Sequence, residues 1–189
     1  AIEPECDLVE EVLRLGGLDA VPPVSLPTAS IVPPPALTPR QSRAALARRV
    51  LAARGMQDCV SFGFMAVKDA ALFGDTPDAL RLLNPIAADL DQMRPTPVAA
   101  LLLAAARNAA RGFPDVALAE LGGAYRDASM TGQLSVAGGV RAGMTPRHWS
   151  APARGVDAMD AKGDAMAVLA ALGVPMAALQ VTTDAPGFY

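Results

Sequence analysis

Val116-Ala117-Leu118-Ala119-Glu120-Leu121-Gly122-Gly123-Ala124-Tyr125 and Gln133-Leu134-Ser135-Val136-Ala137-Gly138-Gly139-Val140-Arg141-Ala142 are predicted to be two strands, joined by a turn over Asp127 to Gly132. Their paired glycines imply either bulges or close approach of other backbone. Beyond them, a helix is expected from about Asp160 to Leu172, stopped by Gly173, and a terminal strand over Leu179 to Thr183. On the N-terminal side, Thr96-Pro97 reads as a cap with proline at the first helical position, opening a helix to Arg111 with Gly112 as its stop. Thr38-Pro39 repeats that signature for a helix to Arg54, ended by Gly55, with Leu46, Val50 and Ala53 along one face. Between these helices lie a predicted strand at Cys59 to Phe64, a helical turn around Val67 to Phe73 and a short strand at Leu80 to Leu83, ended by Asn84-Pro85. Pro22 to Pro39 holds seven of the 17 prolines and reads as an extended strap. Leu8, Val12 and Leu15 at helical spacing predict a first helix from about Asp7 to Leu15. Strands and helices mix without strict βαβ alternation. The expected class is therefore α+β, an antiparallel sheet flanked by helices.

The 189 residues suffice for one domain with a core. Hydrophobic residues make up 52% of the chain and aromatics only 4%, so that core is built from Ala, Leu, Val and Met. Sixteen Lys and Arg against 19 Asp and Glu give a net charge of −3, which disfavours a wholesale nucleic-acid surface and leaves room only for a local RNA contact. Val98 to Ala106 is about half the ~20 apolar residues a membrane span needs, and the charged start is not expected to be a signal peptide. Cys6 and Cys59 are far apart, which argues against a disulfide scaffold or zinc site, and a reducing cytoplasm is the expected compartment. With His148 as the single histidine, a two-histidine metal site or a Ser-His-Asp triad is hard to assemble.

Three groups of residues invite a functional reading. Asp7, Glu10 and Glu11 put three carboxylates on one helical turn, a set that could hold Mg²⁺; Asp7-x-x-Glu10 is equally a capping box favoured by the helix dipole. Arg40, Arg43, Arg48, Arg49 and Arg54 decorate a helix that contains no acid, and could grip phosphates or a partner's carboxylates, or form a solvated face. His148, beside Trp149 and Ser150, has neither a nucleophile elbow nor an acid to orient it, and reads as a surface or packing histidine. Cys59 reads as a small buried hydrophobe.

Several segments, in this order, resemble the β subunit of bacterial phenylalanyl-tRNA synthetase. Asp7-Leu8-Val9-Glu10-Glu11-Val12, Arg14-Leu15-Gly16-Gly17-Leu18-Asp19 and Val21-Pro22 are similar to its D-L-V-E-E-V, R-x-Y-G-Y-D and I-P, with Gly17 and Leu18 in place of tyrosines. Leu83-Asn84-Pro85-Ile86, Met93-Arg94-Pro95, His148-Trp149 and Val156-Asp157-Ala158-Met159-Asp160-Ala161-Lys162-Gly163-Asp164 continue the likeness along nearly the whole chain.

The resemblance implies a slice of a longer subunit: residues 1–21 as the end of a B5 module, 22–38 as a Pro-rich linker, and 39–189 as a class II synthetase-like core that keeps the catalytic fold without catalysis and is incomplete at its C-terminal end. It implies Mg²⁺ ligands at Asp7, Glu10 and Glu11, in a weakened or incomplete site because Ala1 stands where the family pattern has Asp. It implies that the Pro39 to Arg54 helix is the motif 1 helix, so its five arginines face a partner subunit. On the strand comparable to motif 2, Leu118-Ala119-Glu120 has the acid of the R-x-E arrangement and lacks the arginine that would hold ATP. ATP would then bind only in the α subunit of an α₂β₂ tetramer that charges tRNA(Phe), in the cytoplasm, with no membrane and no DNA partner. The rival expectations are a free-standing class II-like nucleotide-binding enzyme and a local RNA-binding module.

Overall fold

The computed structural model describes residues 4–25, 34–182 and 184, and divides into two units, Ala1–Ala36 and Leu37–Tyr189. In the first, α1 (Glu5–Gly16) is one residue longer at its end, and two at its start, than the Asp7 to Leu15 reading. Its N-cap is Pro4, which has no side-chain oxygen to offer, and the Asp7–Glu10 capping box does not form. Much of the expected Pro22 to Pro39 strap lies outside the described residues.

The second unit opens with α2 (Pro39–Ala53). Thr38 Oγ1 accepts the Gln41 backbone N–H at 3.3 Å while Gln41 Oε1 accepts that of Thr38 at 2.9 Å, a reciprocal cap. Gly55, at φ 78°, adopts the left-handed conformation that ends the helix without steric cost. The buried stripe of α2 is Ala47 and Leu51; Leu46 and Val50 are half-buried, and Ala53, expected on the same face, is the last residue of the helix and is exposed.

Next come β1 (Gln57–Asp58), β2 (Phe64–Met65) and the single turn α3 (Val67–Ala70). The expected Cys59 to Phe64 strand is therefore interrupted: the backbone leaves one sheet after Cys59 N–H bonds Ala119 O at 2.7 Å, and joins another at Phe64. Leu80 to Leu83 is not a strand either. Asp78–Leu80 forms a 3-10 turn that buries Leu80, the pairing is confined to an Arg81–Gln92 bridge with Leu82 N–H donating to Asp91 O at 2.8 Å, and Leu83 is fully exposed. After β3 (Gln92–Met93), α4 (Pro97–Ala110) starts at Thr96, whose hydroxyl accepts Val98 N–H at 3.3 Å.

β4 (Val116–Tyr125) and β5 (Gln133–Ala142) have the predicted bounds and pair antiparallel through ten consecutive registers, from Val116 opposite Ala142 to Tyr125 opposite Gln133. The ladder contains no bulge. β1 joins this sheet parallel to β4, so the order is β1-β4-β5 and the sheet is mixed, where an antiparallel one was expected. Finally α5 (Ala158–Ala171) is capped by Asp157, which accepts Met159 and Asp160 N–H; it ends at Leu172 before Gly173, and a separate 3-10 turn follows at Met176–Ala178. Leu179 to Thr182 form no strand, and Thr183 lies outside the described residues.

Core clusters form on both faces of the sheet around β4, whose side chains alternate between them. On one face Leu118 packs against Leu101 and Ala105 of α4, with Val116, Val140 and Cys59 around them. On the other, Ala119 meets Leu51 and Met56, with Ala117, Leu121 and Val168 alongside. The β5 glycines explain the tight fit: a Cβ on Gly138 would stand 3.2 Å from Val98 Cγ2, and one on Gly139 3.0 Å from Met56 Cε. Close approach of elements on opposite faces, rather than a bulge, is why small residues occupy both positions. Among the described residues no helix is long and apolar enough to cross a membrane.

Candidate functional site

Glu120 sits in the middle of β4, surrounded by core, at 3% exposure. A carboxylate there must be paired or protonated. Its partner is Arg94, just after β3, itself 2% exposed: Arg94 Nη2 donates to Glu120 Oε1 at 2.8 Å. Arg94 Nε donates to Gly123 O at 2.8 Å and Nη1 to Ser61 Oγ at 2.7 Å, and the Ser61 hydroxyl donates in turn to Glu120 Oε2 at 2.5 Å. Burial pushes the Glu120 carboxyl up, but the bonds from Arg94 and Ser61 and the guanidinium charge outweigh it and hold the group below its ordinary value. A Cβ on Gly122 would collide with Arg94 Nη2 and stand 2.8 Å from Glu120 Oε1, so the glycine makes room for the pair.

The acid of Leu118-Ala119-Glu120 thus does have an arginine, supplied from elsewhere in the chain, while Leu118 is buried under α4. Sequence reasoning missed Arg94 as a site residue. The available signal was the isolated acid in an otherwise apolar ten-residue run, which demands a buried cation from another element.

The five arginines of α2 separate into two groups. Arg48 pairs with Asp58 at 3.1 Å across the turn into β1. Arg54, the helix's C-cap residue, pairs with Asp164 of α5, whose carboxylate also accepts Arg141 Nε at 2.6 Å and Nη2 at 3.1 Å; Arg141 Nη2 further donates to Arg54 O at 2.8 Å. Burial acts against the Asp164 anion, and the Arg141 and Arg54 bonds outweigh it, holding its pKa below 3.8. These two arginines tie α2 to β1, β5 and α5. Arg40, Arg43 and Arg49 are exposed and have no carboxylate partner among the described residues. Arg40 borders a notch lined by Gly122, Gly123, Tyr125, Gln133 and Ser135.

On α1, Asp7, Glu10 and Glu11 do not converge. Glu11 Oε2 accepts Arg14 Nε at 3.0 Å and Nη2 at 2.6 Å, and among the described residues no three His, Cys, Asp or Glu side chains are grouped to hold a metal. As a set these carboxylates do not fit a closed Mg²⁺ site. His148 is exposed, its Nδ1 2.7 Å from Ser150 Oγ, with no acid behind it. Cys59 is half-buried beside the Leu118 cluster, and burial, then the Glu120 charge, pushes its thiol pKa up, away from nucleophile behaviour.

Residues 23–189 match the family profile described as the phenylalanyl tRNA synthetase beta chain CLM domain. The phenylalanine–tRNA ligase beta subunit of Gluconobacter oxydans (strain 621H) is 56% identical over 192 residues, covering 100% of this chain and 23% of that protein. The same subunit from Rhodospirillum rubrum is 47% identical over 189 residues, covering 100% and 24%. A pyrrolysyl tRNA synthetase structure, Desulfitobacterium hafniense PylSc, covers 72% of this chain and 46% of its own at 15% identity and a TM-score of 0.49, too loose a likeness to assign the fold. The chain spans about a quarter of the length of the curated relatives it matches. With the profile covering most of its residues and relatives of this identity along its full length, the chain belongs to the phenylalanyl-tRNA synthetase beta chain CLM domain family.

Proposed function

We propose that this chain is a noncatalytic docking module with a class II synthetase-like core, which supports the catalytic α subunit of a cytoplasmic phenylalanine–tRNA ligase. In this reading the α subunit joins phenylalanine to ATP, releasing pyrophosphate, and passes the acyl group from the adenylate to tRNA(Phe), releasing AMP. The observation that carries the noncatalytic half is the Arg94–Glu120–Ser61 network. An ATP-binding motif 2 strand needs an arginine presented to open solvent space. Here the guanidinium is turned inward, fully committed to Glu120, Ser61 and Gly123, and α4 covers Leu118 on the same sheet face.

The docking half rests on α2. Arg48 and Arg54 are paired within the chain, which leaves Arg40, Arg43 and Arg49 to meet carboxylates on a partner helix in an α₂β₂ assembly. Co-purification of the full β chain with its α subunit tests this. Arg40→Glu, Arg43→Glu and Arg49→Glu together are expected to abolish association at moderate salt without changing the thermal unfolding of the β chain. Undiminished association, or saturable micromolar ATP binding by the isolated chain in calorimetry, would refute the reading.

For Asp7, Glu10 and Glu11 the same reading is a partial ligand set for Mg²⁺, weakened by Arg14 on Glu11 and by Ala1 where the family pattern has Asp. Dialysis followed by atomic emission should find no stoichiometric Mg²⁺ retained by this chain alone; one equivalent retained would overturn it.

A further inference from the structure

The segment after β5 folds back on itself without belonging to any helix or strand. Thr145 N–H donates to Arg154 O at 2.7 Å, Arg154 N–H to Thr145 Oγ1 at 3.1 Å, and Val156 N–H to Gly143 O at 3.0 Å, which closes the stem of a loop over residues 144–155. Single bridges at Met144–Gly155 and His148–Ala151 narrow it to a tight tip, and Ser150 N–H donates to His148 Nδ1 at 3.2 Å. At that tip stands Trp149, the chain's single tryptophan, 93% exposed, with its ring tilted against that of His148 at a centroid distance of 5.5 Å.

An indole held 93% exposed on a hydrogen-bonded turn contributes nothing to the core and keeps both ring faces open for stacking. Its neighbours discriminate between partners. Over residues 146–152 Trp149 is the one large apolar side chain, set among Pro146, Arg147, His148, Ser150, Ala151 and Pro152, whereas a protein-docking patch has contiguous apolar area at its centre. Arg147 is exposed and has no ion-pair partner among the described residues; on the stem, by contrast, Arg154 is neutralised by Asp157 and Asp160. Beneath the loop a cavity of about 610 Å³ opens between Gln57, Asp115, Arg141 and Arg147. Asp115, its one acid, is turned onto Met144 N–H at 2.8 Å, and Arg141 is held by Asp164, so Arg147 is the available cation.

We propose that this loop is an RNA contact, with an unpaired base stacked on Trp149 and the adjoining phosphate at Arg147 over the cavity. Stacking plus a single guanidinium is a sequence-tolerant way of holding single-stranded nucleotides, and it requires no basic surface beyond the loop, in keeping with the chain's net charge of −3. The inference rests on the docking-module reading, because it takes the RNA to be the tRNA bound by the assembled ligase.

The test uses the full-length β chain in complex with its catalytic subunit and a deacylated tRNA(Phe) transcript. Trp149→Ala should raise the Kd for the transcript on the order of tenfold, and Trp149→Phe should restore most of the affinity. Arg147→Ala should lower the slope of log Kd against log salt by about one. Phenylalanine-dependent pyrophosphate–ATP exchange should be unchanged in all three. Unaltered Kd and salt slope, with exchange intact, would overturn the RNA contact and leave the docking reading standing. Trp149→Ala complexes that fall apart on gel filtration would also overturn it, marking the loop as a subunit interface. A wild-type complex without exchange activity would instead sink the docking reading itself.

Discussion

Replacing Arg94 with methionine is expected to destabilise the Leu37–Tyr189 unit by about 3–5 kcal/mol, because it leaves the Glu120 carboxylate buried without a counter-charge. The side chains of the pair are 2% and 4% exposed, so neither water nor salt can substitute for the lost partner. The pH dependence gives the result a signature that a simple packing defect lacks. In the wild type the Glu120 pKa lies below its ordinary 4.5, so its stabilising contribution is fully present above that value and is lost as pH falls through the lowered one. In the Arg94→Met protein burial is no longer outweighed, and the Glu120 pKa rises above 4.5. Its penalty is then greatest at neutral pH and relaxes as acid protonates the carboxyl. Urea unfolding at neutral pH and near 4.5 should therefore show the gap between the two proteins closing on acidification, with unchanged m-values. A gap independent of pH would mean that Glu120 is already protonated in the wild type. Adding Glu120→Gln to Arg94→Met should recover part of the loss, since an amide tolerates the site where an anion does not.

That network also marks the limit of what was legible in the sequence. The β4–β5 strands, the caps at Thr38 and Thr96 and the glycine stops at Gly55, Gly112 and Gly173 are local signals, written in neighbouring residues, and each appears where the pattern put it. The short elements were not legible. Cys59 to Phe64 alternates like a strand, yet its backbone is shared between two sheets, a choice made by Ala119 on one side and Met93 on the other. The arginine helix was read as one surface because α2 contains no acid to break it up. Asp58 and Asp164 come from other elements, and they pair two of the five arginines within the chain. Arg94 and Glu120 are 26 residues apart, so no motif spacing joins them. At Glu120 and at Asp164 a buried charge is matched by a residue distant in the chain. One sequence shows that a partner is required without showing which residue it is.

The second large effect is expected at Asp164. Asp164→Asn keeps the shape and removes the charge that holds Arg54 and Arg141 together. The side chain of Arg141 is 15% exposed and would be left as a partly buried cation beside a second one, whereas Arg54, at 37%, can swing into solvent. The cost should therefore fall below that of a fully enclosed pair, at about 2–4 kcal/mol. Arg54→Ala, by the same reasoning, should cost well under that, because Arg141 keeps the carboxylate. Since the Asp164 pKa is held below 3.8, the contribution is complete above that value and disappears as pH falls through the lowered one, so wild type and Asp164→Asn should converge in acid. Hydrogen exchange localises the effect. Asp164 fastens the last turn of α2 to β5 and α5, and amides near Arg54 and along α5 should exchange faster in Asp164→Asn while those of α4, across the sheet, keep the protection that global stability allows. Loosening α2 at its C-terminal end would also change how it presents Arg40, Arg43 and Arg49. Association with the α subunit should then weaken in Asp164→Asn although no docking residue has been touched, and a variant that loses stability but binds α like the wild type would show that the arginines dock independently of the carboxylate that orients their helix.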